Sequence, residues 1–145
     1  MAYKFRLETV LTYRRNLEEQ AELQLAREQI ILGGHFKRLG ELKQSRVQMT
    51  EEQEIRKKRR MTSARFRFYQ DLIVYNEKEI ERQNGVIESQ RQVVEKVREE
   101  LEKKMRNRRV VENLRDRDHK MYVKELLRKE QNESDELALL RFGRV

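Results

Sequence analysis

The sequence predicts an all-α protein, a long two-helix antiparallel coiled-coil hairpin, on three observations. An apolar column runs at strict seven-residue spacing through Phe66, Ile73, Ile80, Ile87, Val94 and Leu101. The chain contains no proline in its 145 residues, which suits long helices. A break at Thr62-Ser63 separates two helical patterns. Because an isolated helix leaves its apolar stripe in water, the column needs a second helix to cover it.

The composition predicts a thin seam rather than a thick core. Charged residues make up 41% of the chain and hydrophobic residues 37%, whereas a compact domain is nearer half apolar and a quarter charged. We therefore expect a single elongated coiled-coil domain over residues 1–145.

The first helix is predicted over about residues 5–58. Its early apolar residues follow helical spacing: Leu7, Val10, Leu11, Leu17, Ala21 and Leu25. Two heptad columns follow, Leu25, Leu32 and Leu39, with Leu42 and Met49 beside them. Gly33-Gly34 and Gly40 interrupt the pattern, each at a cost of about 1 kcal/mol. They could mark a kink or a close helix approach, but the leucine column runs through them, so we expect a continuous helix.

The turn is predicted at about residues 59–63, with Thr62 or Ser63 as N-cap of a second helix over about residues 64–140. Past Leu101 the column fails, because Arg108 and Arg115 fall in phase. The apolar positions shift to Met105, Val110, Val111, Leu114 and Met121. This shift indicates a stutter, a local change of the supercoil. Gly143 is the expected stop.

A rival turn is Gln83-Asn84-Gly85, the strongest turn signal in the chain. Using it would cut the heptad column between Ile80 and Ile87, so we favour the turn near residue 61.

The helix lengths predict an uncovered end. At 1.5 Å per residue the helices would measure roughly 75 and 110 Å, which places Leu39 opposite Gln83 and Phe5 opposite Arg117. About 25 residues of helix two then lack an intrachain partner. This overhang carries Leu126, Leu127, Leu137, Leu139, Leu140 and Phe142. Exposed apolar residues there call for a partner protein or a second copy of the chain.

The net charge is +8, which favours acidic partners and salt-sensitive association. The absence of cysteine excludes disulfides and thiolate metal sites. No apolar run approaches 18 residues, and residues 1–7 lack a signal-peptide stretch. His35 and His119 have no companion ligand at metal-binding spacing, and no phosphate loop or nucleophile motif occurs. We therefore expect no enzyme, no cofactor, no metal and no small-molecule substrate.

Small residues at 62–64 are followed by Tyr69-Gln70 and later by Ile80 and Gln83. These segments, residues 62–73 and 79–83, are similar to the start of the second helix in the flagellar export protein FliJ family. Residues 129–138 look like the family's Glu/Asp-Gln-x-x-x-Asp-Glu signature, and the opening with Phe5-Arg6-Leu7 also resembles it. Many members have a glycine in the turn, where this chain carries residues 56–60.

The resemblance covers essentially the whole chain and implies a specific function. Family members form a hairpin similar to the stalk (γ) subunit of rotary ATPases. The end carrying both termini enters the hexameric flagellar export ATPase, and the hairpin also contacts the cytoplasmic region of the membrane export gate and export chaperones. The implied location is the cytoplasm, peripherally at the inner membrane of the flagellar base. A virulence-type secretion stalk or a generic coiled-coil adaptor that dimerises through helix two would have a similar sequence.

Two partner-binding surfaces are predicted. The gate surface near the turn comprises Leu42, Met49, Phe68, Tyr69, Leu72 and Tyr75. The ATPase surface at the terminal end comprises Phe5, Arg6, Leu126, Leu127, Gln131, Asp135, Glu136, Leu137 and Leu140. A heptad seam would bury Phe66, Tyr69 and Ile73 and leave Phe68, Leu72 and Tyr75 partly off the seam. The alternative is that these aromatic and apolar residues broaden the seam or pack under the turn.

Two basic clusters have open interpretations. From Arg56 to Gln70 there are seven basic residues and no acidic one, which fits contact with an acidic protein, anionic lipid or nucleic acid, or simply a solvated turn. The Thr-Ser break argues against a DNA-binding basic zipper. The second cluster is Lys103, Lys104, Arg106, Arg108 and Arg109. It should lie beside Arg14 and Arg15, with stems on the seam and heads in water, or meet an acidic ATPase rim.

Overall fold

A computed structural model of the chain describes residues 2–143. Helix α1 spans Glu8–Lys58 and helix α2 spans Ser63–Phe142, and no strand occurs in residues 2–143. The two helices pack against each other, which confirms the predicted all-α helical hairpin. Helix α1 begins three residues after the predicted start at Phe5, because Arg6 and Leu7 form a turn ahead of it.

The turn between the helices is built by a cap and a left-handed residue. The Arg65 backbone N–H donates to Thr62 Oγ1 at 3.3 Å, so Thr62 is the N-cap of α2. Arg60 has a φ of 64°, a conformation that glycine adopts more readily. Arginine thus occupies the left-handed position that follows the end of α1.

Glycines do not interrupt either helix. Residues 83–85 are helical, so the rival turn is not used. Gly33, Gly34 and Gly40 are also helical, as expected. A Cβ added at any of them, or at Gly85, would meet nothing within 4 Å. The idea that these glycines permit a close helix approach is therefore wrong.

The first compact unit comprises Glu22–Glu100, including the turn. Its core is a cluster of Leu39, Leu42, Ile80 and Ile87, with the half-buried Leu32 packed against it. Val94 and Val97 are buried further along α2. Ile80, Ile87 and Val94 of the predicted heptad column therefore lie in the seam of this unit, where each fully buried aliphatic side chain contributes roughly 2 kcal/mol. Ile73 is half-buried and Phe66 is 37% exposed, so the predicted burial of Phe66 is wrong.

The second compact unit comprises Met1–Ala21 and Leu101–Val145, of which residues 2–21 and 101–143 are described. Leu11, Ala21 and Val111 are its buried apolar residues in the described part. That the two units form one domain stays a prediction.

The expected stutter in α2 is wrong. Val110, Leu114 and Met121 are exposed, whereas Arg108 and Val111 face inward. Arg108 lies seven residues after Leu101, so the heptad phase continues with an arginine in the seam position. The physical reason is an ion pair that lets the arginine replace an apolar side chain.

Candidate interaction surfaces

A cluster of four charged side chains lies in the seam of the second compact unit, which we call the terminal unit. Arg108 Nε donates to a Glu18 carboxylate oxygen, and Arg108 Nη1 donates to Glu112 Oε2 at 2.7 Å. Arg15 Nη2 donates to Glu112 Oε1 at 3.2 Å. The Glu18 and Arg108 side chains are only 10% and 20% exposed. The arginine head therefore lies in the helix interface, and the expectation that it extends into water is wrong.

The ion pairs shift the pKa values of two residues in this cluster. Partial burial alone would raise the pKa of Glu112, but the hydrogen bonds from Arg108 and Arg15 outweigh it and lower that pKa below its ordinary value. Hydrogen bonds to Glu18 and Glu112 raise the pKa of Arg108. Both shifts favour the charged forms of Arg108 and Glu112. Sequence reasoning missed Glu18, although it stands seven residues after Leu11 and seven before Leu25.

The N-terminal segment before α1 is fastened to α2 by Tyr3. Tyr3 Oη donates to Asp118 Oδ2 at 2.8 Å. Its ring meets the His119 ring edge-on at 4.9 Å and lies 5.2 Å from the Tyr122 ring. Loss of hydration and the hydrogen bond to the negatively charged Asp118 raise the pKa of Tyr3 to about 12.

Two open grooves flank Tyr3. One, of about 550 Å³, is lined by residues including Phe5 and Arg115. The other, of about 470 Å³, is lined by residues including Leu126 and Lys129. A third groove brings Phe5 and Arg6 beside Leu114 and Asp118. The predicted placement of Phe5 opposite the region of Arg117 is therefore confirmed, and Leu126 has the N-terminal segment as a neighbour, contrary to expectation.

The last part of α2 presents uncovered leucines. Leu137, Leu139 and Leu140 are 63%, 71% and 64% exposed, and Leu127 and Phe142 are exposed as well. Every residue from 123 to 143 is exposed. Among the predicted ATPase-surface residues, Gln131 donates a local hydrogen bond to Asp135 at 3.2 Å, and Glu136 is exposed. Within the described residues no second helix covers this end.

The predicted gate surface divides into two groups. Leu42 and Tyr69 are 7% and 8% exposed and face the helix seam, and Arg56 stacks on the Tyr69 ring at 5.5 Å. Met49 is half-buried. In contrast Phe68 and Tyr75 are exposed and Leu72 is half-buried. These last three residues are spaced i, i+4, i+7 and share one face of α2.

Polar residues also occupy the seam of the first unit. Gln83 Nε2 donates to the His35 carbonyl oxygen at 3.0 Å, and Gln90 Nε2 donates to the Glu28 carbonyl oxygen at 3.1 Å. The two contacts are seven residues apart on both helices, so they repeat with the heptad and fix the register of α1 against α2. The expected pairing of Leu39 with the region of Gln83 is confirmed.

Six basic residues around the turn lie in solvent. Lys57, Lys58, Arg59 and Arg60 are all exposed, as are Arg65 and Arg67 at the start of α2. None of the six forms an ion pair within the described chain, whereas Arg46, further from the turn, pairs with Glu77 at 3.4 Å.

Within residues 2–143, no group of three or more His, Cys, Asp or Glu side chains is arranged to hold a metal ion. Neither helix in that range is long and apolar enough to cross a bilayer.

The chain is a helical hairpin whose heptad seam includes polar residues and whose second helix ends uncovered. These features are typical of coiled-coil proteins that bind other proteins. Its family is given by a match to the family described as "Flagellar FliJ protein", which extends over residues 3–145. The chain belongs to this family, and it is therefore a component of the flagellar export apparatus. Comparisons with curated proteins and with solved structures gave no match.

Proposed function

We propose that this chain is the stalk of the export apparatus, with its terminal end in the pore of the hexameric export ATPase. The observation that carries the proposal is the uncovered end of α2, where Leu137, Leu139 and Leu140 lie in solvent. Exposed leucines at this density favour burial against another protein. A single unaccompanied helix end is also narrow, about 10–12 Å across with its side chains, which suits a ring pore.

The part of the hairpin that carries the turn would contact the membrane export gate. The face formed by Phe68, Leu72 and Tyr75 offers aromatic side chains at helix spacing, which are typical anchors in helix-in-groove recognition. The buried Leu42 and Tyr69 would support this face from the seam. Export chaperones complete the set of proposed partners, and the proposed location is cytoplasmic, peripheral to the inner membrane at the flagellar base.

The ATPase contact is tested by mixing the purified chain with the export ATPase of the same organism and following ATP turnover and ATPase oligomer size. Substoichiometric chain should raise turnover and drive hexamer formation. Leu137→Asp should abolish both effects, because a carboxylate would be buried in an apolar contact. Leu23→Asp is the matched control, since Leu23 is 58% exposed on α1.

Two further variants distinguish the proposed ATPase contact from the proposed gate contact. Truncation after Asn132 should abolish ATPase stimulation and leave gate binding intact. Phe68→Ala with Tyr75→Ala should weaken binding to the cytoplasmic gate domain and leave ATPase stimulation intact, and Val74→Ala, an exposed neighbour, is the control. Stimulation by the truncated chain at the full-length level would contradict the stalk proposal.

A further inference from the structure

The positive charge of this chain is concentrated at the turn. Residues 56–70 contain seven of the 34 basic residues and none of the 26 acidic residues. The other 130 residues therefore hold 27 basic and 26 acidic side chains and have a net charge of only +1. The basic character of the whole protein thus belongs to a segment of 15 residues.

Six of these seven cations have no ion-pair partner in the part of the chain that the structure describes. Arg56 stacks on Tyr69, but Lys57, Lys58, Arg59, Arg60, Arg65 and Arg67 are exposed and form no ion pair within residues 2–143. Six like charges close together repel each other. The dipole of α1 favours Arg56, Lys57 and Lys58 in its last turn, but no carboxylate within residues 2–143 pairs with the six exposed cations. This excess of positive charge favours an external anionic partner.

The directions of the side chains identify the kind of surface. Successive helical residues point about 100° apart, since a turn holds 3.6 residues, so residues 56–58 at the end of α1 project on different sides. Arg65 and Arg67 likewise lie on opposite sides of the first turn of α2. A groove of nucleic acid or a protein partner lying along the hairpin would match a stripe on one face. Charges on all sides of the turn instead fit a flat anionic surface that the turn contacts with its tip.

We propose that the turn binds the surface of an anionic lipid bilayer. Lys and Arg side chains near such a surface are attracted by its negative potential, at about 1 kcal/mol each. Ile55 and Phe66 are exposed beside the cations and add apolar surface for the headgroup boundary. This contact requires neither the ATPase nor the gate, so it stands or fails independently of the proposed stalk function.

The test is co-sedimentation of the full chain with vesicles of pure phosphatidylcholine or of phosphatidylcholine with about 30% phosphatidylglycerol, at an ionic strength of about 0.1 M. The chain should bind only the anionic vesicles. Replacing Lys57, Lys58, Arg59 and Arg60 by glutamine should weaken binding about 100-fold or more. The matched control replaces Lys78, Lys96, Lys120 and Lys124, which are exposed, and it should bind as the unaltered chain does.

Three outcomes would overturn the proposal. The first is equal weakening by both quadruple variants, because binding would then follow total charge. The second is no binding to the anionic vesicles. The third is tighter binding to a 20-base-pair DNA duplex (about two helical turns), lost in the turn variant, which would identify nucleic acid as the partner. Circular dichroism of both variants should show the helix content of the unaltered chain, since the replaced side chains lie outside the core.

Discussion

Replacing Arg108 by methionine would remove one charge from the seam of the terminal unit while keeping an unbranched side chain. The structure leaves Glu18 90% shielded from solvent, with Arg108 as its ion-pair partner. Removing that partner leaves a carboxylate poorly hydrated and unpaired. Loss of a hydrogen bond to a charged group costs roughly 1.5–3 kcal/mol, and loss of a fully buried ion partner costs more. We expect Arg108→Met to lower the free energy of unfolding by about 2 kcal/mol.

The assay is urea unfolding followed by circular dichroism at 222 nm, and the control is Arg109→Met. Arg109 is the next residue and is exposed, so its replacement changes the net charge equally and should alter stability by no more than about 0.5 kcal/mol. The double variant Glu18→Leu with Arg108→Met should recover the loss, because both positions continue apolar heptad columns. Equal effects of Arg108→Met and Arg109→Met would refute the reasoning, since Arg108 would then be no more than a surface charge.

Three other predictions concern single positions. Gly34→Ala should raise stability by about 1 kcal/mol, because a Cβ there meets open space; a lower urea midpoint would contradict this. Asn76→Leu should also raise the midpoint, because Asn76 is buried and its Oδ1 accepts no hydrogen bond from any described residue; a lower midpoint would contradict this. Tyr3 should ionise near pH 12, so its stabilisation of the N-terminal segment is complete below pH 10 and lost as the pH rises through 12. Absorbance at 295 nm should show this late transition in the unaltered chain and not in Tyr3→Phe.

The hairpin was predictable because two signals of different kinds agreed. The heptad column through Ile80 and Ile87 required a partner helix, and Thr62 supplied a cap at the point where the pattern broke. Both are local consequences of residue type and spacing. The start of α1 was less well predicted, because Phe5 fits the apolar periodicity of the helix but belongs to the segment that packs on α2 ahead of it.

The continuation of the seam past Leu101 was not predictable from apolar periodicity. A count of apolar residues treats Arg108 as an interruption, and only the pairing with Glu18 across the helices shows that the phase is kept. That pairing depends on the register, which is fixed elsewhere by polar contacts such as that of Gln83. The same limit applies to the gate surface, because burial of Tyr69 but not of Phe68 depends on how far the seam spreads around α2.

The residues of a single chain do not identify the partners that its exposed surfaces bind. Exposure of Leu137 and Tyr75 is compatible with a binding role, but a partner's shape is encoded in the partner's sequence. Family membership narrows the choice to the export apparatus, and the contacts of each end stay predictions.

The glycines of the first unit have a mechanical consequence. The Gln83–His35 contact places Gly85 on α2 at nearly the same level as Gly33 and Gly34 on α1. Each glycine leaves its stretch of helix weaker, by about 1 kcal/mol, and none is compensated by closer packing. The least stable stretches of the two helices in this unit therefore lie side by side. Bending and twisting strain applied to this unit would concentrate at that level, and its backbone amides would exchange with solvent sooner than those beside Ile80 or Val94.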